Sequence, residues 1–246
     1  MQRNFILNLG LLLHIAFSHA TEIIHTNTID SVLEHVERMT DLIVFDLDET
    51  LITLDHGEHW LAALCKEKKV NFDAVKDYYI WQAMQDEHRL LEEHTAQVIA
   101  QLQQQGYSVI ALTARSSHKF IEHTAQQLAK LGIDFSRSAI AQRDVTIDGL
   151  QNPALYHKGI IACGPNNKGA VLMHLIDILK LHPTKIIFMD DKLHHVESVK
   201  THVCAKNIPF VGLRYGRTDG TCITLSRADH LNYHAWFDGM PGMFAV

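Results

Sequence analysis

The residues best suited to chemistry are acidic and sit where apolar runs end. Asp46-Leu47-Asp48-Glu49-Thr50 follows Leu42-Ile43-Val44-Phe45, Thr113 follows Val109-Ile110-Ala111-Leu112, and Asp190-Asp191 follows Ile186-Ile187-Phe188-Met189. A lone D-x-D reads as a turn held by side-chain hydrogen bonds, and Asp191 alone reads as a helix cap. Taken jointly they say more. Asp46, Asp48, Asp190 and Asp191 gathered at one edge would raise each other's pKa unless a cation lay among them. A hard divalent ion answers that conflict, and Mg²⁺ characteristically takes one or two carboxylates together with water and substrate phosphate. A carboxylate can also be the nucleophile that accepts a phosphoryl group. A second carboxyl can protonate the leaving oxygen and later activate water.

Phosphoryl transfer further needs a positive group beside the phosphate. Lys168, in Asn166-Asn167-Lys168-Gly169, is the candidate. It opens a helical pattern, where its charge opposes the helix dipole and Gly169 is a poor helix former; a bound anion would relieve the first conflict. A solvated surface lysine is the alternative. Lys158, also followed by glycine, competes from a segment that reads as extended.

The elements that must position these groups can be read from apolar spacing. The runs ending at Asp46, Thr113 and Asp190 are buried strands of a parallel sheet, and Pro209 to Leu213 is another. Val32, Leu33 and Val36 suggest a short helix ending near Thr40, with Thr28 or Asp30 as its cap. Residues 56 to 105 read as helical up to Gly106, Lys119 to Leu131 as a helix closed by Gly132, and Val171 to Leu181 as an amphipathic helix. A further helix starts near His194, Leu155 to Ala162 is a strand or half a hairpin, and the tail is a helix with a loose end. Strands alternating with helices predict an α/β, Rossmann-like parallel sheet with helices on both faces. Ligands bind such sheets at the carboxyl ends of the strands, where all these acids fall. The helical material after the first strand exceeds one crossover, so a small helical cap insertion is placed at about Leu54 to Gln85.

In this order and on these elements the motifs resemble the haloacid dehalogenase-like (HAD) superfamily over about Asp41 to Leu213, and the signal-like pattern of the first twenty residues is similar to that of its poorly characterised secreted bacterial members. The resemblance implies that Asp46 is nucleophile and metal ligand, and that Asp48 is the acid/base whose backbone carbonyl also reaches Mg²⁺. It implies that the Thr113 hydroxyl bonds the phosphoryl group, that Lys168 steadies nucleophile and phosphate, and that Asp190 and Asp191 are metal ligands, Asp191 directly or through water. An aspartate at position 48 points to a phosphatase, or to a phosphotransferase on the same site, acting on a small phosphorylated substrate. The reading from another class is a non-catalytic secreted binding or host-interaction protein that keeps the fold. Arg115 is either a phosphate contact or part of a structural salt bridge; His194 and His195 either touch substrate or lie on a surface helix. Trp60, Tyr78, Tyr79 and Trp81 either line a pocket or form a small core.

A net charge of −6 argues against nucleic acid as partner. Arg3, the apolar stretch Phe5 to Phe17 and Ser18-His19-Ala20 form the pattern of a signal peptide cleaved after Ala20, which implies a periplasmic or secreted protein of residues 21–246 without a later membrane span. In an oxidising compartment Cys65, Cys163, Cys204 and Cys222 either pair, with three connectivities open, or remain buried thiols.

Overall fold

The structure is a computed structural model that describes residues 21–239. The expected signal peptide lies outside the described residues. The chain starts with strand β1 (Thr21–Thr26), a 3-10 turn over Ile29–Glu34, and β2 (Leu42–Phe45). Two-residue strands β3 (Ile52–Thr53) and β4 (Arg89–Leu90) bracket helices α1 (Glu58–Lys68) and α2 (Phe72–Gln85). Next come α3 (Thr95–Gln104), β5 (Ser108–Thr113), α4 (Ser117–Lys130) and strands β6 (Val145–Ile147), β7 (Ala154–His157) and β8 (Ile160–Ala162). The chain closes with α5 (Lys168–Leu179), β9 (Ile186–Asp190), α6 (Leu193–Cys204), β10 (Phe210–Tyr215) and α7 (Arg227–Gly239).

Eight strands form one sheet in the order β1-β10-β9-β2-β5-β8-β7-β6. Strands run parallel from β1 across to β8, and β7 and β6 add antiparallel pairs at one edge. The fold is α/β and Rossmann-like, as its strand and helix alternation predicts. Side chains alternate along each strand, so Ile43, Phe45, Val109, Ala111, Ile187 and Met189 pack on one face with Val98, Leu102 and Leu128 of α3 and α4. Leu42, Val44, Ile110, Leu112, Ile186 and Phe188 pack on the other with α5 and α6. Both faces are covered, which is why the strands are continuously apolar. The strand order reverses beside β2, so the ends of β2, β5 and β9 flank the crevice where ligands bind in such sheets.

Four local readings change. The apolar stripe after Thr28 makes one 3-10 turn rather than a helix to Thr40, with Thr28 accepting from the Asp30 amide as its cap. β1 was not legible in TEIIHT, because an edge strand leaves its polar side chains in water. Residues 154–162 form a complete hairpin whose turn residues, Lys158 and Gly159, both have positive φ (47° and 84°), the two-residue turn that favours glycine. The helical stretch is interrupted at β4, which pairs antiparallel with β3 and returns the chain from α1 and α2 to the sheet.

At the opposite end of β2, Asp41 accepts from the Glu37 and Arg38 amides (3.0 Å each) and from the Thr184 hydroxyl (2.7 Å). Glu92 ties the 3-10 turn to the end of β10: one carboxylate oxygen accepts from the Ile29 amide and from the Tyr215 hydroxyl, both at 2.7 Å. Glu92→Ala leaves both buried donors unpaired, and urea unfolding should show a loss of roughly 2–4 kcal/mol. An unchanged midpoint would show that water replaces the carboxylate.

Candidate active site

β2 delivers Asp46, whose amide donates to Met189 O at 2.9 Å, so the ends of β2 and β9 are locked side by side. The chain then winds tightly. The amides of Thr50, Leu51 and Ile52 all point at Leu47 O (3.3, 2.9 and 3.0 Å), and Glu49 takes a left-handed φ of 57° that few non-glycine residues adopt. This turn brings the Thr50 hydroxyl to the Asp191 amide (3.1 Å), joining the first acidic motif to the last.

Asp46, Asp190 and Asp191 are buried, and one carboxylate oxygen from each lies within 4.8 Å of the others. Lys168 reaches them from the first turn of α5. Its Nζ donates to Asp46 Oδ1 at 2.6 Å and to Asp190 Oδ2 at 2.7 Å. Burial alone would push the Lys168 ammonium down, but Asp46 and Asp190 outweigh it and hold it above its ordinary range. Burial pushes Asp46 well up, opposed by Lys168 and reinforced by Asp190 and Asp191. Burial also works on Asp190, but Lys168 and His195 overcome it and bring that group down. Asp191 is pushed up to about 6 by burial despite its pairing with Lys192. This pattern is that of a pocket with more carboxylate than nearby cation, and the three donors are hard oxygen ligands of the kind Mg²⁺ takes.

The expected cluster of four acids is a cluster of three. The Asp48 carboxylate turns away to Arg115, whose Nε and Nη2 donate to Oδ2 and Oδ1 at 2.9 and 2.7 Å. A fork-to-fork pair with a guanidinium satisfies that carboxylate without a metal. Burial pushes Asp48 up, yet Arg115 prevails and holds it below the usual carboxylate range. Thr113 is buried at the end of β5, and its Oγ1 accepts from the Arg115 amide at 3.2 Å. The sheet therefore brings Asp46, Asp190, Asp191 and Lys168 into contact, with Asp48 and Thr113 joined through Arg115.

Lys158 is excluded from this group, since it occupies the hairpin turn and pairs with Glu122 at 3.4 Å. Gly169 has a packing reason that the sequence did not reveal. A Cβ there would meet Ser198 O at 2.5 Å and His202 Nδ1 at 2.7 Å, because α6 crosses α5 at this point. Gly169→Ala should therefore cost about 1–3 kcal/mol in chemical denaturation, although alanine is the better helix former. A gain in stability would show that α6 moves aside freely.

Lys192 is a charged partner of the site that was not anticipated. It follows the acidic pair directly and bridges Asp191 (2.8 Å) to Glu58 (2.7 Å) in the first turn of α1. His195 Nδ1 stands 3.3 Å from Asp190, while neighbouring His194 is exposed. The aromatics divide by helix face: Trp60 and Tyr78 are buried with Leu64, Val75 and Leu225 in a small separate core, whereas the half-buried Tyr79 feels the charges of Asp48 and Arg115. The side chain of Trp81 lies outside what the structure describes. All four cysteines are free thiols; Cys163 is buried, and burial pushes its thiol up to about 12.

Comparison with known proteins adds three findings. The family described as "Protein of unknown function (DUF2608)" matches residues 22–235. A Chlamydia trachomatis serovar D protein named "Putative outer membrane protein" is 24% identical over 185 residues, covering 70% of this chain and 68% of that protein. Among solved structures, a haloacid dehalogenase-like family hydrolase from Streptococcus pneumoniae covers 71% of this chain and 95% of its own, with a TM-score of 0.43 and 13% identity. Among the described residues, no helix is long and apolar enough to cross a membrane.

Proposed function

The chain belongs to the DUF2608 family of proteins of unknown function, and from the site it carries we propose that it is a Mg²⁺-dependent phosphohydrolase of the HAD type, acting through an aspartyl-phosphate. The observation that carries this reading is the position of Lys168 Nζ, bound at once to Asp46 and Asp190 within a buried trio of carboxylates. A lysine bridging two such groups holds a would-be nucleophile in place and keeps one N–H donor for a phosphoryl oxygen.

Asp46, Asp190 and Asp191 would hold Mg²⁺, which supplies Lewis-acid stabilisation of phosphoryl charge. An Asp46 carboxylate oxygen attacks phosphorus while the bond from phosphorus to the leaving oxygen breaks, and Asp48, once parted from Arg115 and protonated from solvent, gives that oxygen its proton. Asp48, now a carboxylate, takes a proton from water; the hydroxide attacks phosphorus, the bond to Asp46 breaks, and phosphate departs. Lys168 and the Thr113 hydroxyl stabilise the charge that develops on the phosphoryl oxygens. In this reading helices α1 and α2 belong to the cap that chooses the substrate, and export through the first twenty residues belongs to the same reading.

The test is phosphate release from a generic phosphomonoester by the mature chain. Turnover should require Mg²⁺ and stop with EDTA. Activity indifferent to EDTA would refute the metal, and transfer of the phosphate to added alcohol in preference to water would make the protein a phosphotransferase. Failure of Asp46 to bind beryllofluoride, an aspartyl-phosphate mimic, would leave a binding protein on this fold.

A further inference from the structure

Glu49 takes no part in the proposed chemistry, yet its carboxylate is buried and underused. It is 3% exposed, and among the described residues it has one hydrogen-bond donor, the Thr53 hydroxyl, 2.9 Å from Oε1. A carboxylate offers about four lone-pair sites, so most of that capacity is open. Gly57 makes room for it: a Cβ there would stand 2.8 Å from Glu49 Oε1. The positive end of α1, which begins at Glu58, explains why a charge is tolerated at this point. It does not explain the group opposite. His59 Nε2 is buried without a hydrogen-bond partner and stands 3.8 Å from Glu49 Oε2, too far for a direct bond.

Both side chains line a cavity of about 260 Å³ between β3, β4, the start of α1 and the loop after β10. Thr53 of β3 and Thr218 and Thr221 of that loop add hydroxyls to its wall, while Leu91 and Ile223 add apolar surface. Exposed Arg89 and Asp55 pair with each other at 3.3 Å, so together they bring no net charge. The cavity neighbours the acidic crevice along the chain. Glu49 follows Asp48, and Glu58, between Gly57 and His59, is joined through Lys192 to Asp191.

An atom lodged between Glu49 and His59 must donate to the carboxylate and satisfy the imidazole nitrogen at once. A hydroxyl does both, donating its hydrogen and accepting on its lone pairs. A ligand carboxylate or phosphate would be repelled by Glu49. The threonine hydroxyls likewise suit a partner that donates and accepts at several points. Water can bridge the two buried groups, but waters against Leu91 and Ile223 have few partners, and displacing such waters favours a ligand. We infer that this cavity binds a polyhydroxylated small molecule, a sugar or polyol, with one of its hydroxyls shared by Glu49 and His59. The inference goes beyond the phosphohydrolase reading and does not depend on it.

The experiment titrates the full mature chain with glucose, without Mg²⁺ or phosphate, and follows by NMR the indole N–H signal of Trp60, which lines the cavity. A saturable shift is expected, in the millimolar range for so small a ligand. Cyclohexanol keeps a ring with one hydroxyl, and cyclohexylamine carries an ammonium instead. Both should bind more weakly by about tenfold or more, because they leave polar groups of the wall unpaired. Glu49→Gln and His59→Leu should each weaken glucose binding by about tenfold or more. His59→Leu removes a nitrogen that has no partner, so it decides the matter should Glu49→Gln fail to fold. Equal affinity for glucose and cyclohexanol would make the cavity an apolar one, and tighter binding of cyclohexylamine would make it an ammonium site. An unmoved Trp60 signal, or undiminished binding by the variants, would leave no sugar between Glu49 and His59. Each of these outcomes overturns the inference, whereas a failure to release phosphate bears only on the phosphohydrolase reading.

Discussion

Asp46→Asn is expected to lower phosphomonoester turnover by a factor on the order of 10⁴ or more, the scale on which loss of a covalent nucleophile acts. The substitution is nearly isosteric and removes one negative charge from a site where burial and two other carboxylates oppose that charge. The folded state should not suffer, because Lys168 keeps its bond to Asp190 (2.7 Å). The measurement is phosphate release beside urea unfolding of the same sample. A large loss of activity with undiminished stability assigns chemistry to Asp46. Wild-type turnover by the variant would end the aspartyl-phosphate mechanism.

Lys168→Met separates stability from chemistry in the opposite direction. Lys168 is 2% exposed and is bonded to two carboxylates, themselves buried. Breaking a buried ion pair by removing one partner costs about 3–5 kcal/mol, because the other charge remains without compensation. The variant should therefore unfold at markedly lower denaturant concentration in EDTA. Millimolar Mg²⁺ should recover part of the difference, since an ion that binds only the folded state stabilises it by mass action. An Mg²⁺-insensitive midpoint in both variant and wild type would argue that the three carboxylates do not hold the ion.

The sheet and the members of the site were largely legible because both follow from strong local signals. Runs such as Leu42 to Phe45 and Ile186 to Met189 suit only strands covered on both faces, and their ends place Asp46 and Asp190 together. The direction of each side chain was not legible. Nothing in D-L-D-E-T distinguishes an Asp48 turned toward the other carboxylates from one turned to Arg115; that choice is made by Thr124, Gln127 and His88, remote in the chain. Gly169 likewise suggested a conflict with helix formation, whereas its cause is the approach of Ser198 from α6. Trp60 and Tyr78 read equally well as pocket or core until their neighbours were known. Those neighbours include Leu225 and Tyr233, more than a hundred residues later in the chain and invisible to any local pattern.

That last packing sets an order of events in time. The chain emerges from the ribosome N-terminus first, so α1 and α2 appear long before α7, which closes over them through Tyr233 and Trp236 and fastens itself by Asp229 to His56 at 3.0 Å. The parallel sheet can assemble once β10 has been made, but the aromatic core beside the acidic crevice must wait for α7. A nascent or C-terminally clipped chain would then carry its acids on a finished sheet beneath an unfinished roof. Such a chain is an expected target for proteases, which would cut first in the helical pair that α7 has yet to cover.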